Sequence, residues 1–189
     1  MKKTTKLDAV NTMLSCIKHA PLNTLEGTLS SFAVSAISLL NSELMRVQLK
    51  GYDFNSEENY PLQPDVDGII KIPDNMLKVE IPQIYKNQYI VRDSKLYDKY
   101  NHTFHIPHSL RVNVVFGLEF EELPEVVKRY ITMHAAYKFA KRELGSQAVS
   151  VYTQQDLMEA EADLMNHELE LGNYSIVSEF YTREIRSDL

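Results

Sequence analysis

The hydrophobic period of this chain changes twice, and those two changes constrain its fold more than any single motif. Apolar residues recur at helical spacing near both ends. The stretch between, Tyr52 to Phe120, holds five of the seven prolines and carries its apolar residues in short runs. Proline lacks the N–H a helix interior needs and clashes with the preceding turn, so the middle is read as strands and loops and the flanks as helices.

The first helix is expected over Leu7 to Lys18, where Leu7, Val10, Leu14 and Ile17 share a face and Thr5 with Asp8 forms a capping box. Pro21 and Gly27 bracket a connection. A longer helix, 28–50, carries Leu29, Phe32, Ala33, Ala36, Ile37, Leu40, Leu44 and Val47 and stops at Gly51. In the middle, Ile69 to Ile72, Gln88 to Arg92, Lys95 to Asp98 and Leu110 to Phe116 are predicted strands, with Asp93-Ser94 as a hairpin turn. Helical pattern resumes after Pro124, a residue suited to a helix start, with Glu121, Glu122 and Glu125 at the positive end of the dipole. Val127, Tyr130, Ile131, His134 and Tyr137 mark one face as far as Gly145. A fourth helix has Leu157, Leu164 and Leu171 seven apart, with Ala160 and His167 between them, and ends at Gly172.

These elements predict an α+β fold: a bundle of about four helices with a central β-strand lobe and an extended C-terminal arm. Residues 1–51 and 121–172 form the helical bundle as one discontinuous domain, 52–120 the β-rich lobe and 173–189 the arm.

Composition excludes several functions. No apolar run reaches the roughly 20 residues that span a bilayer, and the opening Met1 to Lys6 leads into an amphipathic segment instead of a signal-peptide core. The lone Cys16 has no internal disulfide partner and reads as core or near-core. A net charge of −6 argues against a broad basic surface for nucleic acid. From Ser150 to Gly172 stand six acids (Asp156, Glu159, Glu161, Asp163, Glu168, Glu170) and no Lys or Arg, a run whose simplest reading is a solvated helix face.

Chemistry is sparse. No phosphate-cradling loop, dinucleotide fingerprint or nucleophile elbow occurs, and six glycines leave little material for one. No cofactor, metal or catalytic residue is assigned. His102, His105 and His108 lie three apart, but Pro107 and the strand context put His105 opposite the other two, so they read as a surface-loop cluster. His134, on an apolar helix face, reads as a hydrogen-bonded core residue. A carboxylate pair at glycosidase separation is not visible from spacing.

Several motifs together resemble the tail tubular protein A family, the adaptor (gatekeeper) proteins of short-tailed phages. Leu7-Asp8-Ala9-Val10-Asn11 to Ile17, then Pro21 and Leu25-Glu26-Gly27, is similar to the family's first helix and turn. Gly51-Tyr52-Asp53-Phe54-Asn55 resembles its Gly-aromatic-x-Phe-Asn element. Pro64-Asp65, Gly68 to Pro73 and Leu77 resemble its proline-bounded strand, and Arg92 with Leu96-Tyr97-Asp98 its hairpin. The strongest block is Phe120-Glu121-Glu122-Leu123-Pro124-Glu125 running into Tyr130-Ile131, Ala135-Ala136, Phe139 and Gly145. The motifs follow family order from about Leu7 to Tyr174. Two positions depart: the family often has Gly where Lys18 or His19 stands, and Trp where Tyr52 stands.

The resemblance implies a structural virion tail protein and not an enzyme, synthesised in the host cytoplasm. It implies a homododecameric ring between the portal and the nozzle, tail tubular protein B, with tail fibres near that junction, double-stranded DNA passing through the channel without sequence-specific binding, and no membrane contact. The alternatives are a tail-associated polysaccharide or peptidoglycan hydrolase and a transient assembly factor. Glu161 and Glu168, seven apart, are the expected channel-facing acids, because a basic lumen would bind the genome that must move through it. Ile176, Phe180, Tyr181 and Ile185 of the arm are the expected portal or subunit contacts.

Overall fold

The computed structural model describes residues 3–145 and 154–171. The chain divides into two units, one built from residues 1–47 and 119–189 and the other from Gln48–Leu118. The class is α+β, with four α-helices and small antiparallel sheets among the described residues.

The helical unit begins with α1 (Lys6–Cys16). Its capping box is formed: Thr5 Oγ1 accepts from Asp8 N at 3.2 Å, while Thr5 N donates to the Asp8 carboxylate at 3.0 Å. The helix ends in a Schellman motif, in which His19 N reaches Leu14 O and Lys18 N reaches Ser15 O, both at 3.0 Å, with Lys18 at φ +58°. Helix α2 (Ser31–Gln48) and α3 (Glu125–Leu144) follow the periodicity of the sequence, and α4 spans 154–171. Val10, Leu14, Leu40, Val127, Ile131 and Phe139 are buried, and α1 packs along α3. That contact is closed at one end by Thr4, whose Oγ1 donates to Glu125 at 2.7 Å, and by Lys6 N donating to Glu121 at 3.1 Å.

The second unit holds a three-stranded antiparallel sheet, ordered β1 (Ser56–Leu62), β5 (Leu110–Phe116), β2 (Met76–Glu80), and a hairpin of β3 (Tyr89–Arg92) and β4 (Lys95–Asp98). The hairpin turn is Asp93-Ser94 at φ +50° and +52°, the geometry that matches strand twist in two-residue loops. Leu62, Ile70, Ile72, Tyr89, Leu96, Ile106, Leu110, Val112 and Val114 form one shared core.

Three of the four predicted strands are present. The expected strand Ile69–Ile72 is instead an extended segment touching its neighbours through single bridges, Ile69 to His105 and Lys71 to Lys95. It is held short by a turn on one side, where Asp65 accepts from Ile69 N at 2.9 Å, and by Pro73 on the other. Gly68, at φ +72°, makes that turn possible, since a Cβ there would meet the His105 ring at 2.4 Å. Strands β1 and β2 were not expected. Each lies at an edge; β1 is mostly exposed, contains Pro61, and shifts register between Glu57 and Tyr60, where Asn59 sits at φ +56°.

The two chain ends of this unit are tied together. Gln48 Nε2 donates to Leu118 O at 3.0 Å and Gln48 Oε1 accepts from Leu118 N at 2.7 Å, so one side-chain amide pairs with a backbone amide as a strand would. Buried Asn55 adds to this, donating to Gln48 O at 3.0 Å and Phe116 O at 2.8 Å and accepting from Tyr52 N at 3.0 Å. The Asn of the Gly51 to Asn55 motif is therefore a fastener between chain segments.

Candidate interaction surfaces

Helix α4 is apolar along two lines. Ala160 and Leu164 are buried, and Leu157, His167 and Leu171 are half-buried beside them. At about 100° per residue, Met158, Ala162, Met165 and Leu169 fall on the opposite side. They lie in solvent, with Met158 61%, Met165 65% and Leu169 65% exposed. The acids occupy the two flanks between these lines. On one flank Arg129 of α3 grips α4, its guanidinium 2.9 Å from Asp163 and 3.1 Å from Glu159. Glu161 and Glu168 share the other flank: Glu161 is exposed, while Glu168 is half-buried with one carboxylate oxygen shut away from solvent.

Helix α2 also has an unusual outer side. Its two charged residues among Ser31–Gln48 are Glu43 and Arg46. Val34, Ser38, Asn41, Ser42 and Met45 are all exposed and uncharged. Glu43 points inward, 3% exposed, and gathers three partners: Arg46 Nε at 2.5 Å, Lys138 Nζ at 2.6 Å and His134 Nδ1 at 3.0 Å. A carboxylate only accepts, so the neutral ring carries its proton on Nδ1. Arg46 Nη2 lies 3.3 and 3.2 Å from the two ring nitrogens. Burial and then the Arg46 charge hold His134 below its ordinary pKa, against the pull of Glu43; Lys138 and Glu161 act on it more weakly and in opposite senses. Burial alone would raise Glu43, but hydrogen bonds from Lys138 and Arg46 outweigh it and move its pKa down. His134 is thus a hydrogen-bonded joint between α2 and α3; the hydrogen bonding expected of it is present, but it is half-buried instead of a core residue.

The other sequence candidates separate. His102, His105 and His108 are exposed in a loop and turn to different neighbours: His105 Nδ1 is 2.9 Å from Asp67 O and His108 Nε2 is 3.2 Å from the Tyr89 hydroxyl. Half-buried Cys16 donates to Thr12 O, and burial raises its thiol pKa, the reverse of a reactive thiolate. Asp98 and Glu125 are both held at about 2. In Asp98, burial is outweighed by hydrogen bonds from Asn101, Gln88 and Tyr100; in Glu125, Thr4 acts first and Lys128 next. Ile176, Phe180, Tyr181 and Ile185 lie outside the described residues.

The outward lines of α4 and α2 were missed from sequence. The spacing of Met158, Ala162, Met165 and Leu169 was there to be read, but methionine and alanine among acids pass for a solvated surface until the buried side is known.

Compared with known proteins, the chain matches the tail tubular protein family over residues 7–174. It is 25% identical over 181 residues to tail tubular protein A of Klebsiella phage KP34, covering 96% of each chain.

Proposed function

Because the chain belongs to the tail tubular protein family, we propose that this phage tail protein is a ring-forming adaptor joining the portal to the nozzle protein, tail tubular protein B. Its copies form a homododecameric ring, tail fibres attach near the junction, and the DNA ejection channel runs through the middle. The observation that carries this reading is the length of the family match, which extends through both units. Glu43, Asp65, Asp98 and Glu125 are each shifted downward, so none of these four suits the general-acid role a hydrolase requires, in which a carboxyl holds its proton near neutral pH. No described helix is long and apolar enough to cross a membrane.

Within the ring, the flank of α4 bearing Glu161 and Glu168 faces the channel. The arm residues Ile176, Phe180, Tyr181 and Ile185 contact the portal or a neighbouring copy. Rings of this kind use two different faces of each subunit and close when the rotation permits, so mass photometry with the portal should give about twelve copies per portal ring. A stable complex of one or two copies would sink the adaptor reading.

A further inference from the structure

A helix apolar on two opposite sides is covered on both when it works. The inward line of α4 is covered within its own unit, whereas Met158, Ala162, Met165 and Leu169 form a continuous exposed strip, the kind of surface that marks an interaction site. Its flanks carry Asp156, Glu159, Glu161 and Glu170, and residues 154–171 contain no Lys or Arg. The outer side of α2 has the complementary character. Its one acid, Glu43, is turned inward, and the charge at its margin is Arg46, 39% exposed.

The two strips also match in spacing. Val34, Ser38, Asn41 and Met45 recur at the same four, three and four residues as Met158, Ala162, Met165 and Leu169. In the α2 strip the middle is small and polar, Ser38, Asn41 and Ser42, framed by Val34 and Met45. In the α4 strip the corresponding place holds Met165, a flexible thioether suited to filling an irregular hollow. Whether the helices run parallel or antiparallel, Met165 falls opposite Asn41 or Ser38.

We propose that the outward line of α4 in one copy packs into the outer side of α2 in a second copy, with Met165 seated over Ser38, Asn41 and Ser42 and the acidic flank beside Arg46. The inference rests on the ring reading and supplies its contact. Because the two surfaces differ, each copy offers α4 to one neighbour and α2 to the other, and such a contact propagates until it closes. Pairing α4 with α4 would instead bring two acidic flanks together.

The test uses the full chain with Cys16→Ala, mixed with portal and checked by mass photometry before oxidation. One preparation carries Met165→Cys and the other Asn41→Cys, with Ser38→Cys and Ser42→Cys as parallel second preparations for the other register. A disulfide-linked dimer should form in the mixture but in neither preparation alone, and a chain bearing both cysteines should give a ladder of linked copies. A Met165→Cys dimer by itself, or assembled rings in which residue 165 links to none of residues 38, 41 and 42, would overturn the inference while leaving the ring intact. Absence of any multimer overturns the ring reading itself. Independently, Met165→Glu, at an exposed position, should leave the unfolding midpoint in place and weaken assembly by about tenfold or more. Unchanged assembly by that variant counts against the contact.

Discussion

Lys18 performs a task usually given to glycine. It closes the Schellman motif of α1 in the left-handed region, at φ +58°, at a place where the resemblance leads one to expect Gly at Lys18 or His19. The turn is retained and its conformational cost is carried by a side chain. That cost is roughly 1–2 kcal/mol for an L-residue, while glycine would return about 0.4–1 kcal/mol through the freedom of the unfolded chain. Lys18→Gly should therefore raise stability by about 0.5 kcal/mol, read as a higher urea midpoint with an unchanged slope. A lower midpoint would show that the lysine side chain contributes something the backbone geometry does not reveal.

Among the elements, the α2–α3 contact has a built-in pH dependence. His134 is held below its ordinary pKa of 6.5, so the unfolded chain binds its proton first as pH falls, and stability declines from about pH 6.5 downward until the folded pKa is passed. Glu43 is held below 4.5, so its contribution, present above that value, is lost as pH falls through the folded pKa. Both act in the same direction in successive windows. The thermal midpoint should be flat between about pH 7 and 8 and slope downward below about 6.5, and His134→Gln should remove the first part of the slope. A midpoint equally pH-dependent in His134→Gln would place the titration elsewhere. This joint was partly legible: His134 on an apolar face pointed to a hydrogen-bonded histidine, but its acceptor lies on another helix, and sequence spacing does not reach that far. Helices α1 and α3 and the β3–β4 hairpin were legible because each has a local device, the Thr5–Asp8 box, Pro124 before α3 and the Asp93-Ser94 turn. Strands β1 and β2 were not. Ser56–Leu62 owes its conformation to pairing with β5, and its exposed Glu57, Glu58 and Asn59 carry no strand signal of their own.

At the scale of the whole molecule, the proposed channel lining and the proposed contact between copies fall on one helix, α4. Duplex DNA carries roughly one negative charge per 1.7 Å of axis, so lysines lining a channel would retain it by counterion release, with a reach of about 8 Å at physiological salt. Glu161 is the cleaner test of the channel proposal, since Glu168 has one oxygen already shut away from solvent. With Glu161→Lys, rings should still form, while the isolated ring begins to retain duplex DNA at low salt. Normal assembly with no DNA retention would assign Glu161 to solubility alone.

The tie between Gln48 and Leu118 has a consequence for how such a protein can diversify. The chain leaves for the sheet unit and returns from it at one fastened point, so the unit behaves as an insertion whose ends already meet. An insertion of that kind adds little loop-closure cost to the segment that receives it and can lengthen, shorten or be exchanged with few demands on the rest. The helical unit and the sheet unit can then change at different rates, since a substitution in one places few demands on the other.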